Sequence, residues 1–116
     1  MTGIAVALGL GGIVLVLLTP EPVLPIKIAN GSYAAPCCGV MVLQDGVIHI
    51  RGYTVGYRIQ QDKVGPYILP TAFVGESPTG YLVDFGATPL KLRLDDTNRA
   101  TQIELDRGSI AKIFEE

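Results

Sequence analysis

The 116-residue chain is 48% hydrophobic, 17% charged and 7% aromatic, a size that holds one compact domain and excludes a multidomain enzyme within it. Nine Lys and Arg against eleven Asp and Glu leave a formal charge of −2, which gives no electrostatic footprint for wrapping a polyanion and argues against nucleic acid as a partner. Fourteen Gly and eight Pro without a triplet period mark many turns between short elements, and the hydrophobic share is too high for disorder.

The first element in chain order is apolar throughout. Met1 to Thr19 carries no charged side chain and is followed by Pro20-Glu21-Pro22. As a helix rising about 1.5 Å per residue it would reach roughly 28 Å, close to the hydrocarbon thickness of a bilayer. Residues 1–19 are therefore read as a single transmembrane helix. A cleaved signal peptide is the rival, but no Lys or Arg precedes the apolar run and no A-x-A-like site follows Leu18. Within the span Gly3, Ala7 and Gly11 recur every fourth residue, which predicts a flat face for close packing against a partner helix. The positive-inside count is zero before the span against one, Lys27, after it, and slightly favours a cytoplasmic domain. Uncleaved N-terminal anchors commonly export the domain behind them, and the β domain is placed on the extracytoplasmic side.

Residues 20–25 (PEPVLP) hold three prolines, which stop a helix and predict an extended, semi-rigid spacer. From residue 26 onward the period is two. Val40 to Leu43, the turn Gln44-Asp45-Gly46 and Val47 to Arg51 form the clearest hairpin. Tyr53, Val55, Tyr57 and Ile59 alternate with polar or small residues and predict a half-buried strand. Tyr67-Ile68-Leu69 and Ala72-Phe73-Val74 flank Pro70, which belongs at an edge or bulge. Gly75 to Gly80 (GESPTG) reads as a loop. Tyr81, Val83 and Phe85, then Leu90, Leu92 and Leu94, then Ile103 and Leu105 each alternate, and the last strand runs within Ser109 to Phe114. The soluble part, 26–116, is thus expected to be an all-β domain, a small antiparallel barrel or sandwich of about seven to eight strands.

Chemistry is sparse. The single His, His49, falls on the outward set of its strand with Val47 and Arg51 and reads as solvated. The sequence has no G-x-S-x-G, no H-E-x-x-H and no C-x-x-C. Adjacent Cys37 and Cys38 could form a vicinal disulfide or, with His49, offer soft ligands to a metal. The preferred reading makes them small hydrophobes on opposite faces of a strand. Asp84, Asp95 and Asp96 sit where turns favour Asp for backbone reasons. Tyr53, Tyr57 and Tyr67 could line a cavity or a partner surface, but read as core or rim.

No catalytic, cofactor-binding or metal residue is assigned, and the chain is read as non-enzymatic with no cofactor. Its layout, a short anchor before a small β domain, looks like that of accessory subunits of membrane complexes and of membrane-anchored β-barrel effectors of bacterial cyclic-nucleotide defence systems. That likeness carries no residue across. The expected function is a non-catalytic accessory subunit or assembly factor, whose partners are the bilayer and other membrane protein subunits. The alternative is a barrel sensor or effector for a small ligand such as a nucleotide. A cavity lined by Tyr and Arg would favour the second, and a filled barrel with an apolar outer patch the first.

Overall fold

A computed structural model describes residues 22–114. Most of the alternating stretches form strands, although Phe85 falls in a turn and Leu90 precedes its strand. The strands are β1 (Val23–Leu24), β2 (Gly31–Ala35), β3 (Gly39–Gln44), β4 (Val47–Ile50), β5 (Tyr53–Gln61) and β6 (Pro66–Pro70). They continue with β7 (Phe73–Ser77), β8 (Gly80–Asp84), β9 (Leu92–Leu94), β10 (Gln102–Glu104) and β11 (Ile110–Ile113). One 3-10 turn, Ile26–Ala29, lies between β1 and β2.

Pairing runs β5-β4-β3-β2-β11-β10-β9-β6, and β6 returns to β5. The ring is a closed antiparallel barrel of eight strands, with every barrel neighbour adjacent in chain order apart from the β7–β8 excursion between β6 and β9 and the join of β2 to β11. Closure removes the free edges that such short strands could not protect. The nine-residue β5 makes this possible. Its first half, Tyr53 to Gly56, pairs with β4, and its second, Tyr57 to Gln61, pairs with β6. Thr71 N–H donates to Gly56 O, the register in which Pro70 and Tyr57 form a non-hydrogen-bonded pair. The missing N–H of Pro70 therefore points away from β5.

The interior is filled. Tyr33, Met41, Leu43, Ile48, Val55, Ile59, Ile68, Leu92 and Ile103 are all at most 1% exposed, so the barrel encloses side chains rather than a channel. The β3–β4 hairpin shows how local chemistry sets register. Gln44 pairs with Val47 across a two-residue turn, and both Asp45 (φ 47°) and Gly46 (φ 89°) have positive φ, the geometry that matches strand twist.

Antiparallel order gives the barrel two distinct ends. At the proximal end the chain arrives through β1, and the 3-10 turn is tucked beneath the strands with Ile28 and Ala29 buried. Tyr33 Oη donates to Ala29 O at 2.9 Å and lies 3.3 Å from Ala100 O, while Ala100 N–H donates to Ile28 O. At the other, distal end stand the β2–β3, β4–β5 and β10–β11 turns, with the β7–β8 hairpin laid across them.

Several expectations change. Val23 and Leu24, expected in the spacer, pair with Gln60 and Ile59 of β5. Gly75, Glu76 and Ser77, expected in a loop, belong to β7. Gly75 fits there because a Cβ would meet the Phe73 ring at 2.8 Å and Asp106 at 2.9 Å. The antiparallel ring decides for the barrel over the sandwich. No helix among the described residues is long and apolar enough to cross a membrane. The predicted span 1–19, with Gly3, Ala7 and Gly11, lies outside the described residues.

Candidate functional site

The distal end gathers several side chains whose exposure or chemistry the core does not explain. In the β2–β3 turn, Cys38 N–H donates to Ala35 O. Pro36 thus occupies the second turn position, where its fixed φ is favourable, and Gly39 follows at φ 84°. Within this turn Cys37 and Cys38 are joined as a vicinal disulfide. The preferred sequence reading, opposite-facing residues of a strand, is overturned. The strand ends at Ala35, and in the turn beyond it the period of two no longer separates neighbours. Both sulfurs are engaged with each other and pack against the edge of the core.

Across from the disulfide lies the tip of the β7–β8 hairpin. Tyr81 Oη donates to Gly39 O at 2.8 Å, and burial pushes the Tyr81 phenol up to about 12, so it stays a neutral donor through ordinary pH. On the other strand of the hairpin, Glu76, the register partner of Tyr81, clamps β7. Ser109 donates through N–H (3.2 Å) and hydroxyl (2.9 Å) to Glu76, while Glu76 N–H donates to Asp106 at 2.8 Å. Val74 is fully buried beneath it.

Between these elements opens a cleft of about 440 Å³, lined by Cys38, Val40, Ile50, Arg51 and Tyr81 among others. A second hollow of about 490 Å³ shares Ile50 and Arg51 and adds His49, Tyr53 and Thr54. Arg51 is the cation common to both. Around them, Val40 (48%), Tyr53 (47%), Leu82 (48%) and Phe85 (62%) are exposed, with the Tyr53 and Phe85 rings tilted against each other at 6.3 Å.

The remaining sequence candidates fall elsewhere. His49 is exposed on the outer face of β4, cross-strand from Val42 and Thr54. Tyr57 and Tyr67 are buried at 7% and 1%, and Tyr53 forms rim. Among the described residues no group of three or more His, Cys, Asp or Glu is placed to hold a metal ion. Burial alone would raise the Asp95 carboxyl, but the Thr101 hydroxyl and the Thr101 and Gln102 N–H groups outweigh it and hold it below its ordinary value. Its role is to tie the β9–β10 turn. Asp84 accepts from Gly86 N–H and Asp96 from Asn98 N–H, each within its own turn.

One polar cluster lies outside the sequence expectations. On the outer face of β5, β6 and β9, Arg93 grips Asp62 through two nitrogens at 2.6 and 2.7 Å, and Lys91 adds a third bond at 2.9 Å. Arg93 first and Lys91 second hold the Asp62 carboxyl well below the usual carboxylate range. Both cations lie over the Tyr67 ring, Lys91 at 4.5 Å and Arg93 at 5.3 Å. The bidentate pair fixes the β5–β6 turn against β9. The positions are 29 and 31 residues apart, so no local motif announces them.

Comparison with protein-family models, with curated proteins and with solved structures finds no match.

Proposed function

We propose that this chain is a single-span, membrane-anchored, non-catalytic accessory subunit or assembly factor of a larger membrane protein complex. Its span, residues 1–19, packs through Gly3, Ala7 and Gly11, and its distal barrel end docks an extramembranous segment of a partner. The observation that carries this reading is a filled barrel, plugged by the 3-10 turn and capped by the β7–β8 hairpin, beside four exposed apolar or aromatic side chains at the distal end. A ligand has no interior to occupy, whereas a protein surface could cover Val40, Tyr53, Leu82 and Phe85. Arg51, which shares one hollow with Val40 and another with Tyr53, suits an acidic side chain on that partner.

The test is purification of the full chain in mild detergent, with a photo-crosslinking residue at position 40 or 85 and mass spectrometry of whatever is captured. A defined partner should be captured at both positions, and Phe85→Asp should lower its recovery roughly tenfold, as loss of an aromatic anchor does. Gly11→Leu should weaken association by roughly a kcal/mol while leaving insertion intact. No specific capture, together with unchanged recovery for both variants, overturns the reading. The ligand-sensor alternative draws on the cleft of Cys38, Arg51 and Tyr81, whose single cation and partly enclosed shape suit a small anionic compound. Retention of such a compound, lost on Arg51→Gln, would favour it.

A further inference from the structure

At the proximal end, beside the point where the chain enters the barrel, Leu24, Pro25 and Ile28 wall an open groove of about 550 Å³. Lys27 and Arg99 stand over it, and Asn98 adds an amide. Among the described residues no carboxylate lines the groove. Of the nearby acids, Asp95 is taken up by Thr101 and Gln102, and Asp96 accepts from Asn98 N–H. Among the described residues, Lys27 and Arg99 enter no ion pair.

Two cations over an apolar wall complement a molecule that joins an anion to hydrocarbon. The groove also lies close to the charge-free stretch. Leu24 is five residues beyond Thr19, a reach of at most about 17 Å, and the headgroup layer is roughly 5–8 Å thick per leaflet. At the same end Val23 and Val64 are exposed at 67% and 78%. Neither side chain has a reason in the core to be apolar. A bilayer surface covering this end would account for the cations and the valines together.

We propose that the groove seats the phosphate headgroup of an anionic phospholipid, with Lys27 and Arg99 on the phosphate and Leu24, Pro25 and Ile28 against the glycerol ester region. This rests on the membrane-anchor reading above. Lipid binding here would hold the barrel upright on the bilayer, with its distal end presented away from it.

The experiment uses the full chain in mild detergent, titrated with phosphatidylglycerol or phosphatidylcholine of the same acyl composition and read by native mass spectrometry. Each Lys or Arg near an anionic surface contributes about a fivefold effect, so Lys27→Gln with Arg99→Gln should weaken phosphatidylglycerol binding roughly 25-fold. Phosphatidylcholine should bind weakly and respond little, and Arg107→Gln at the opposite end should change neither lipid. Glycerol 3-phosphate at millimolar concentration should fail to displace the lipid, and displacement would assign the groove to a free phosphate compound instead. Alkaline carbonate extraction of membranes separates the two readings. Release of the chain overturns the anchor and this proposal with it. Retention combined with equal binding of both lipids, or with no effect of the double variant, overturns this proposal alone.

Discussion

The two ends of the barrel are closed by different means. The proximal end is shut by burial: the 3-10 turn inserts Ile28 and Ala29 into the core, and Tyr33 ties its backbone to that of Ala100 from a fully enclosed position. The distal end is shut by a hairpin that buries Val74 and is tied down by polar contacts on one rung, Tyr81 to Gly39 from β8 and Glu76 to Ser109 from β7. Buried apolar surface cannot be exchanged for water without a large cost, whereas partly exposed hydrogen bonds can. The proximal closure is thus the more permanent, and the tip of the hairpin, held by Tyr81 and Glu76 beyond the buried Val74, is the part expected to open locally.

If that contrast is right, the largest loss of stability comes from Tyr33→Ala. Removing a fully buried aromatic ring and its two-carbonyl contact should cost about 3–5 kcal/mol, read as the shift in denaturant midpoint of the full chain in detergent. A loss below about 1 kcal/mol would mean that the 3-10 plug is peripheral. Acid should act next, again on the proximal half. The Asp62 carboxyl is depressed in the folded chain, so its contribution is present above the ordinary carboxylate value near 3.9 and is lost as pH falls below it toward the folded value. Stability of the wild type should decline across that window, and Asp62→Asn should flatten the decline.

At the distal end, Glu76→Gln should cost about 1–2 kcal/mol, because the Ser109 contacts lose their charged acceptor. Tyr81→Phe should cost only about 0.5–1.5 kcal/mol. Its diagnostic effect is faster amide exchange confined to β7 and β8, and uniform acceleration through the barrel would contradict a locally opening hairpin. The smallest global effect belongs to the Cys37–Cys38 disulfide. Bridging neighbours closes almost no loop in the unfolded chain, so mild reduction should move the midpoint by under about 0.5 kcal/mol. It should still perturb exchange around Gly39 and Tyr81.

The features legible in the sequence are those that repeat locally. The Val40–Arg51 hairpin, the alternation of β5, the inward Leu92 and Leu94 and the inward Ile103 all derive from a period of two against one buried face. The strand that closes the ring does not show. β2 reads GSYAA, with one large side chain in five residues, too few for an alternation, and so Tyr33 does not stand out beside Tyr53, Tyr57 and Tyr67. β1 is hidden among prolines, because two residues have no period. β7 is hidden by a composition that usually marks loops.

The sequence by itself determined that the part from residue 26 onward is all-β, where its clearest turn lies, that its one His and its Asp turns belong to no recognisable catalytic motif, and that a charge-free run precedes it. Those properties are local, set by side-chain periodicity and turn chemistry. Only the tertiary structure decided that the sheet closes into a ring, that Asp62 meets Arg93, that a hairpin caps one end and a 3-10 turn plugs the other, and that Lys27 and Arg99 share a groove. Each of these joins residues far apart in the chain or selects among pairings of equal local merit. Such choices are settled by which arrangement buries the most apolar surface while leaving no buried polar group unpaired.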